Sequence, residues 1–123
     1  MIYVWIALGG AAGAVSRYAV DDLVGRATGG ALALGTFVVN ISGSFVLGVL
    51  FALVMERAVL PDDVRPALMI GFIGAYTTFS TWMLESWRLA NDGAMLLAAV
   101  NLVGSVAVGL VAVVAGIAVG RAL

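Results

Sequence analysis

The sequence predicts an all-α integral membrane protein of four transmembrane helices, the third broken near its middle, paired as an antiparallel dual-topology dimer. Three observations carry this prediction. The first is a composition and charge spacing that leave four long neutral tracts. The second is a run of glycines and hydroxyl residues inside the third tract. The third is an even division of arginines between the two ends of the spans.

Of the 123 residues, 63% are hydrophobic and 11% charged, where soluble domains run about 45–50% and about 25%. Mean hydropathy is +1.16. The length suits one domain, residues 1–123. The chain has no cysteine and no histidine. That removes disulfides and thiol chemistry, the commonest metal ligand and the usual proton shuttle, and with them a metalloenzyme or His-based hydrolase. A net charge of −1 without a basic cluster excludes nucleic acid as a partner.

Met1–Ser16 carries no charge. No basic segment precedes this tract and the apolar character resumes three more times, so it reads as a retained first helix at about 2–23 rather than a leader. Asp21, Asp22, Gly25, Thr28, Gly29 and Gly30 mark the first loop. Ala27–Met55 is neutral over 29 residues and gives a second helix at about 33–55. Glu56–Arg65, with Pro61-Asp62-Asp63, is the second loop, and Pro66 suits a helix first turn. Pro66–Leu84 is neutral over 19 residues and gives a third helix at about 66–90. Asn91-Asp92-Gly93 makes a tight turn, and Gly93–Gly120, neutral over 28, gives the fourth at about 94–120. Each tract meets or approaches the roughly 20 apolar residues a span needs. Glycines within the spans, such as Gly9, Gly13, Gly109, Gly116 and Gly120, read first as a packing face that lets helix backbones approach.

The chain has no lysine and six arginines. Arg57, Arg65 and Arg121 lie on the side of the termini and second loop; Arg17, Arg26 and Arg88 lie on the other. Arginine excess normally fixes orientation. An even tally predicts insertion both ways up and pairing of opposite copies about a twofold axis in the membrane plane.

Polar groups inside a membrane are costly unless satisfied, so each is a candidate. Asn40, in the second helix, offers an amide; functional ligand and interhelical glue both remain open. Gly71-Phe72-Ile73-Gly74-Ala75-Tyr76-Thr77-Thr78-Phe79-Ser80-Thr81-Trp82 is a poor lipid-facing helix, because hydroxyls compete for its hydrogen bonds. A break is expected near Gly74–Thr78, tolerable only where freed backbone is buried in protein or lines an aqueous path. Freed carbonyls suit a cation, and half-helix amides an anion. Asn101 and Ser105, four apart, share one face, as steps of a polar track or as helix-packing bonds. Arg17 either snorkels to headgroups or raises the local anion concentration. Glu85 and Arg88, three apart, are placed to pair. Neutral donors without a deep acid, together with the electropositive edge of Phe79, suit a small anion that must enter and leave quickly.

These motifs resemble a known family. Gly9-Gly10-Ala11-Ala12-Gly13-Ala14-Val15-Ser16-Arg17-Tyr18 resembles the first-helix GGxxGAxxRY of the Fluc (CrcB) fluoride channels. Gly35-Thr36-Phe37-Val38-Val39-Asn40-Ile41-Ser42-Gly43-Ser44-Phe45-Val46-Leu47-Gly48 resembles GTxxVNxxGxFxxG, and Gly71 to Thr81 resembles GxxGxxTTFST. The resemblance spans the full chain. It implies an antiparallel homodimer in the inner (plasma) membrane with two fluoride pores, and passive export of fluoride that confers resistance to it. It implies that Asn40 hydrogen-bonds fluoride, that Phe79 and the aromatic three residues on, here Trp82 in place of the usual Phe, form a ring-edge box, and that Ser80, Thr81 and Ser105 contribute pore hydroxyls. It places Arg17 on a vestibule arginine. It implies a structural Na+ on the twofold axis, held by the carbonyls of Gly74 and Thr77 from both copies. Beyond Ser105 the family's next hydroxyls are replaced by Gly109 and Val113.

Two other readings compete. A four-helix, dual-topology multidrug exporter would need a membrane-embedded Glu in the first helix, where this chain has none. A non-conducting assembly subunit would use its polar residues only for packing, which leaves their concentration at Asn40 and Thr77–Ser80 unexplained. An enzyme would need an acid–base pair that the spans lack.

Overall fold

The computed structural model describes residues 1–30 and 34–123, and among the described residues the regular structure is all helical. Helix α1 runs Ile2–Thr28 and α2 runs Leu34–Phe51, the latter continuing into a π-helical turn, Ala52–Glu56. A short α3, Val64–Pro66, leads into a π-helical segment, Ala67–Ile73, and then α4, Gly74–Tyr76. Helices α5, Phe79–Asn91, and α6, Met95–Ala122, complete the chain.

Among the described residues, three stretches are long and apolar enough to cross a membrane: Leu34–Glu56, Val64–Asn91 and Met95–Ala122. At 27 residues α1 has the length, about 40 Å at 1.5 Å per residue. Its apolar run is diluted by Gly9, Gly10, Gly13, Ser16 and Arg17.

Helix α1 runs past the expected boundary at residue 23, into the expected loop. Asp22 pairs with Arg26 four residues on at 2.9 Å, Thr28 Oγ1 donates to Val24 O at 2.7 Å, and the helix stops only at Gly29, which is left-handed (φ 72°). Position 33, the expected start of the second helix, lies outside the described residues.

Glycines set the packing. A Cβ at Gly116 would overlap the carbonyl oxygen of Phe45, and one at Gly48 that of Val113. Ile41 and Ser44 face Gly109, while Val49 and Ala52 face Gly120, so α2 and α6 run parallel with their backbones touching. In the same way Gly9 meets Ala67 and Gly13 meets Phe72, so α1 runs parallel to the Ala67–Ile73 segment. Polar contacts of α2 with the third stretch, Thr36 with Glu85 and Asn40 with Thr78, run in opposite order, so chain direction alternates from stretch to stretch. The inward residues of α6 are Ala98, Ser105, Ala112, Gly116 and Gly120, and the interior is correspondingly thin; its largest fully buried side chains are Val39 and Val54.

Candidate functional site

The site forms where the third stretch loses its helix. Tyr76 ends α4; Thr77 (φ −79°, ψ 158°) and Thr78 (φ −148°, ψ 124°) are extended, and α5 begins at Phe79. Threonine hydroxyls bond on both sides of the break, Thr77 N also keeping Ile73 O at 3.0 Å. Thr77 Oγ1 donates to Ile73 O at 2.9 Å, and Thr78 Oγ1 caps α5 by accepting from Thr81 N at 3.3 Å. Asn40 of α2 bonds Thr78 twice: its Nδ2 donates to Thr78 O at 2.9 Å and its Oδ1 accepts from Thr78 N at 2.8 Å. The amide keeps one N–H uncommitted by this pair.

Gly74 O and Thr77 O are among the carbonyls that the break releases. In an unbroken helix Gly74 O and Thr77 O would receive the N–H groups of Thr78 and Thr81. Those donors go instead to Asn40 Oδ1 and Thr78 Oγ1. Carbonyl oxygens freed in this way are the donor set a hard monovalent cation requires, so the residues present fit such an ion.

Two cavities meet at Thr78. A groove of about 410 Å³ is lined by Asn40, Thr77, Thr78, Phe79, Trp82 and Ser105, with apolar residues of α2 and α6. A smaller one, about 250 Å³, is lined by Arg17, Tyr18, Asp21, Thr36, Thr78 and Thr81. Phe79 is 70% exposed and meets Trp82 edge to face, ring centres 5.7 Å apart. Ser105 Oγ is buried with no hydrogen-bond partner. Five residues singled out in the sequence, Asn40, Thr77, Phe79, Trp82 and Ser105, therefore share the groove. Thr81 and Arg17 share the second cavity, while Ser80 and Gly74 are exposed and line neither.

The chain matches the family described as CrcB-like protein, Camphor Resistance (CrcB), over residues 4–117. The chain belongs to the CrcB family. Similar proteins include one from Magnetococcus marinus, 43% identical over 117 residues covering 95% of each chain. Another, from Nitrosococcus oceani, is 42% identical over 117 residues, 95% of this chain and 94% of its own. A third, from Hahella chejuensis, is 44% identical over 118 residues, 96% of this chain and 93% of its own. All three carry the name Fluoride-specific ion channel FluC.

Within this CrcB-family chain, Asn101 takes the helix-packing alternative, and one expectation, the Glu85–Arg88 pair, is corrected. Asn101 does not share Ser105's groove. Its Nδ2 donates to Ser86 Oγ at 2.9 Å, and it borders a separate apolar groove of about 340 Å³ with Phe37, Leu97 and Val108. Glu85 is held by Thr36, whose Oγ1 donates to its Oε1 at 2.9 Å, in place of the expected pairing with Arg88. The indole N–H of Trp82 is also committed, to Asn101 O at 3.2 Å, so this tryptophan presents ring edges to the groove rather than a free donor. Sequence reasoning missed Thr36 and Ser86. The available signal was a hydroxyl in an apolar helix, one turn from Asn40 and from Trp82 respectively.

Proposed function

We propose that this chain is a fluoride-selective channel that passively exports cytoplasmic fluoride and so confers fluoride resistance. The observation that carries the reading is the groove itself. Its polar lining consists of neutral donors and ring edges, and no carboxylate lines it among the described residues. The remaining N–H of Asn40, the unpartnered Ser105 hydroxyl and the edges of Phe79 and Trp82 replace the hydration of a small anion. None of these groups carries a full charge, so the anion is held weakly enough to leave. Arg17 in the adjoining cavity raises the anion concentration at its mouth. The names of the three relatives support the same substrate, and transport rather than catalysis.

The working unit is an antiparallel homodimer of four-span subunits in the inner (plasma) membrane. Supporting this are the three-against-three arginine tally and a groove open enough to leave Phe79 70% exposed. In that arrangement Ser80 and Gly74, exposed in one chain, are available to the second copy. The break in the third span leaves the carbonyls of Gly74 and Thr77 free for two copies together to hold a sodium ion. That ion supplies a fixed positive charge that neither subunit carries at this position.

Purified protein in liposomes loaded with fluoride tests the reading. Efflux measured with a fluoride electrode should be rapid, and chloride should not substitute for fluoride. Equal rates for the two anions would end the claim of selectivity.

A further inference from the structure

We propose that Trp82 is a positioning residue for the Ser105 hydroxyl, keeping it free for an anion by occupying the acceptor it would otherwise turn to. This role deepens the fluoride-channel reading and rests on it.

A serine or threonine inside a helix commonly satisfies its hydroxyl on the carbonyl four residues earlier. This chain does so repeatedly. Thr28 Oγ1 bonds Val24 O at 2.7 Å, Thr77 Oγ1 bonds Ile73 O at 2.9 Å and Ser86 Oγ bonds Trp82 O at 2.8 Å. Ser105 sits in the continuous helix α6, and its acceptor on the same pattern would be Asn101 O. Yet Ser105 Oγ is buried without a partner, in a residue only 9% exposed.

The difference lies at Asn101. A carbonyl oxygen has two lone pairs. One receives the helical N–H of Ser105. The other receives the indole Nε1–H of Trp82 at 3.2 Å. The back-bonding site is therefore full. The indole is held there by a closed circuit: Asn101 Nδ2 donates to Ser86 Oγ at 2.9 Å, and Ser86 Oγ donates to Trp82 O. With the acceptor four residues back taken, the Ser105 hydroxyl is left unbonded beside the groove that its residue lines with Asn40 and Phe79. An anion can accept its hydrogen; a cation cannot.

The test separates the indole N–H from the bulk of the ring. Trp82→Phe removes both the N–H and part of the ring. Replacing Trp82 alone with 3-benzothienylalanine removes only the N–H and keeps the shape. Fluoride efflux from liposomes is measured for each, for Ser105→Ala, and for each combined with Ser105→Ala. The benzothienyl protein should lose roughly tenfold in rate, on the scale of one hydrogen bond to an ion, as should Ser105→Ala. The combination should be no slower than either single change. As a readout independent of conduction, ¹⁵N-labelled wild-type protein should show a Trp82 indole N–H protected from exchange, and Asn101→Pro, which disrupts the acceptor's helix, should lose that protection. A benzothienyl protein that conducts like wild type, or losses that multiply in the combination, would overturn the inference while leaving the channel reading standing. A wild type that passes no fluoride would overturn both.

Discussion

Asn40 and Thr78 form a two-bond clasp between side chain and main chain, with Nδ2 to the carbonyl oxygen at 2.9 Å and Oδ1 to the amide nitrogen at 2.8 Å. Asn40 Oδ1 takes the Thr78 N–H that an unbroken helix would give to Gly74 O. Asn40→Ala should lower stability by about 2 kcal/mol, at about 1 kcal/mol per part-buried bond, and should also stop fluoride efflux. Asn40→Asp keeps the acceptor for Thr78 N but sets a carboxylate against Thr78 O and the passing anion. It should fold and still fail to conduct. Thermal unfolding in detergent, followed beside liposome efflux, checks both.

Phe79 contributes little to holding the subunit together, since it is 70% exposed within one chain. Phe79→Ile removes the electropositive ring edge and keeps apolar bulk. Efflux should fall to background with the size-exclusion profile unchanged. Unchanged efflux would remove Phe79 from the ion path.

Glycines at helix contacts and glycines at a helix surface should respond oppositely to alanine. At Gly48 a Cβ would overlap Val113 O and lie 3.0 Å from Ile117 N, with only backbone there to yield. Gly48→Ala should therefore destabilise by about 1–3 kcal/mol. Gly25, in α1, has open space where a Cβ would stand, with no neighbour within 4 Å. Gly25→Ala should stabilise by about 0.5 kcal/mol, through backbone entropy alone. Paired melting curves would distinguish the two.

Sodium should bind the purified protein without any fluoride present. If the carbonyls of Gly74 and Thr77 hold it, labelled sodium should stay with the protein through gel filtration, and replacing sodium by N-methylglucamine should lower the melting temperature. Protein that neither retains sodium nor responds to its removal would rule out the site.

The neutral tracts locate the second to fourth stretches within a few residues, because hydrophobicity and glycine placement are written directly in composition. The end of α1 is not legible in the same way. Asp21 and Asp22 read as a loop, yet the pair Asp22–Arg26 and the Thr28 back-bond carry the helix five residues further. The two π-helical segments are not legible either. The second of them packs backbone against backbone, as Ala67 and Phe72 do on Gly9 and Gly13, and that contact is tertiary. Within the site, residue types point to Asn40, Phe79 and Ser105. Spacing alone does not separate Asn101 from Ser105, because a shared helix face says nothing about which neighbour supplies the bond. The indole of Trp82 makes that separation.

Thr78 borders both cavities, and its carbonyl and amide are the groups that Asn40 grips. At the residue common to the two cavities, the bond to α2 is thus a bond to peptide backbone. Side chains on either flank can be exchanged in descent, retuning how an ion arrives and departs. What Asn40 grips is main chain, present whatever residue stands at 78, so exchange of Thr78 leaves the gripped groups in place while exchange of Asn40 removes the grip.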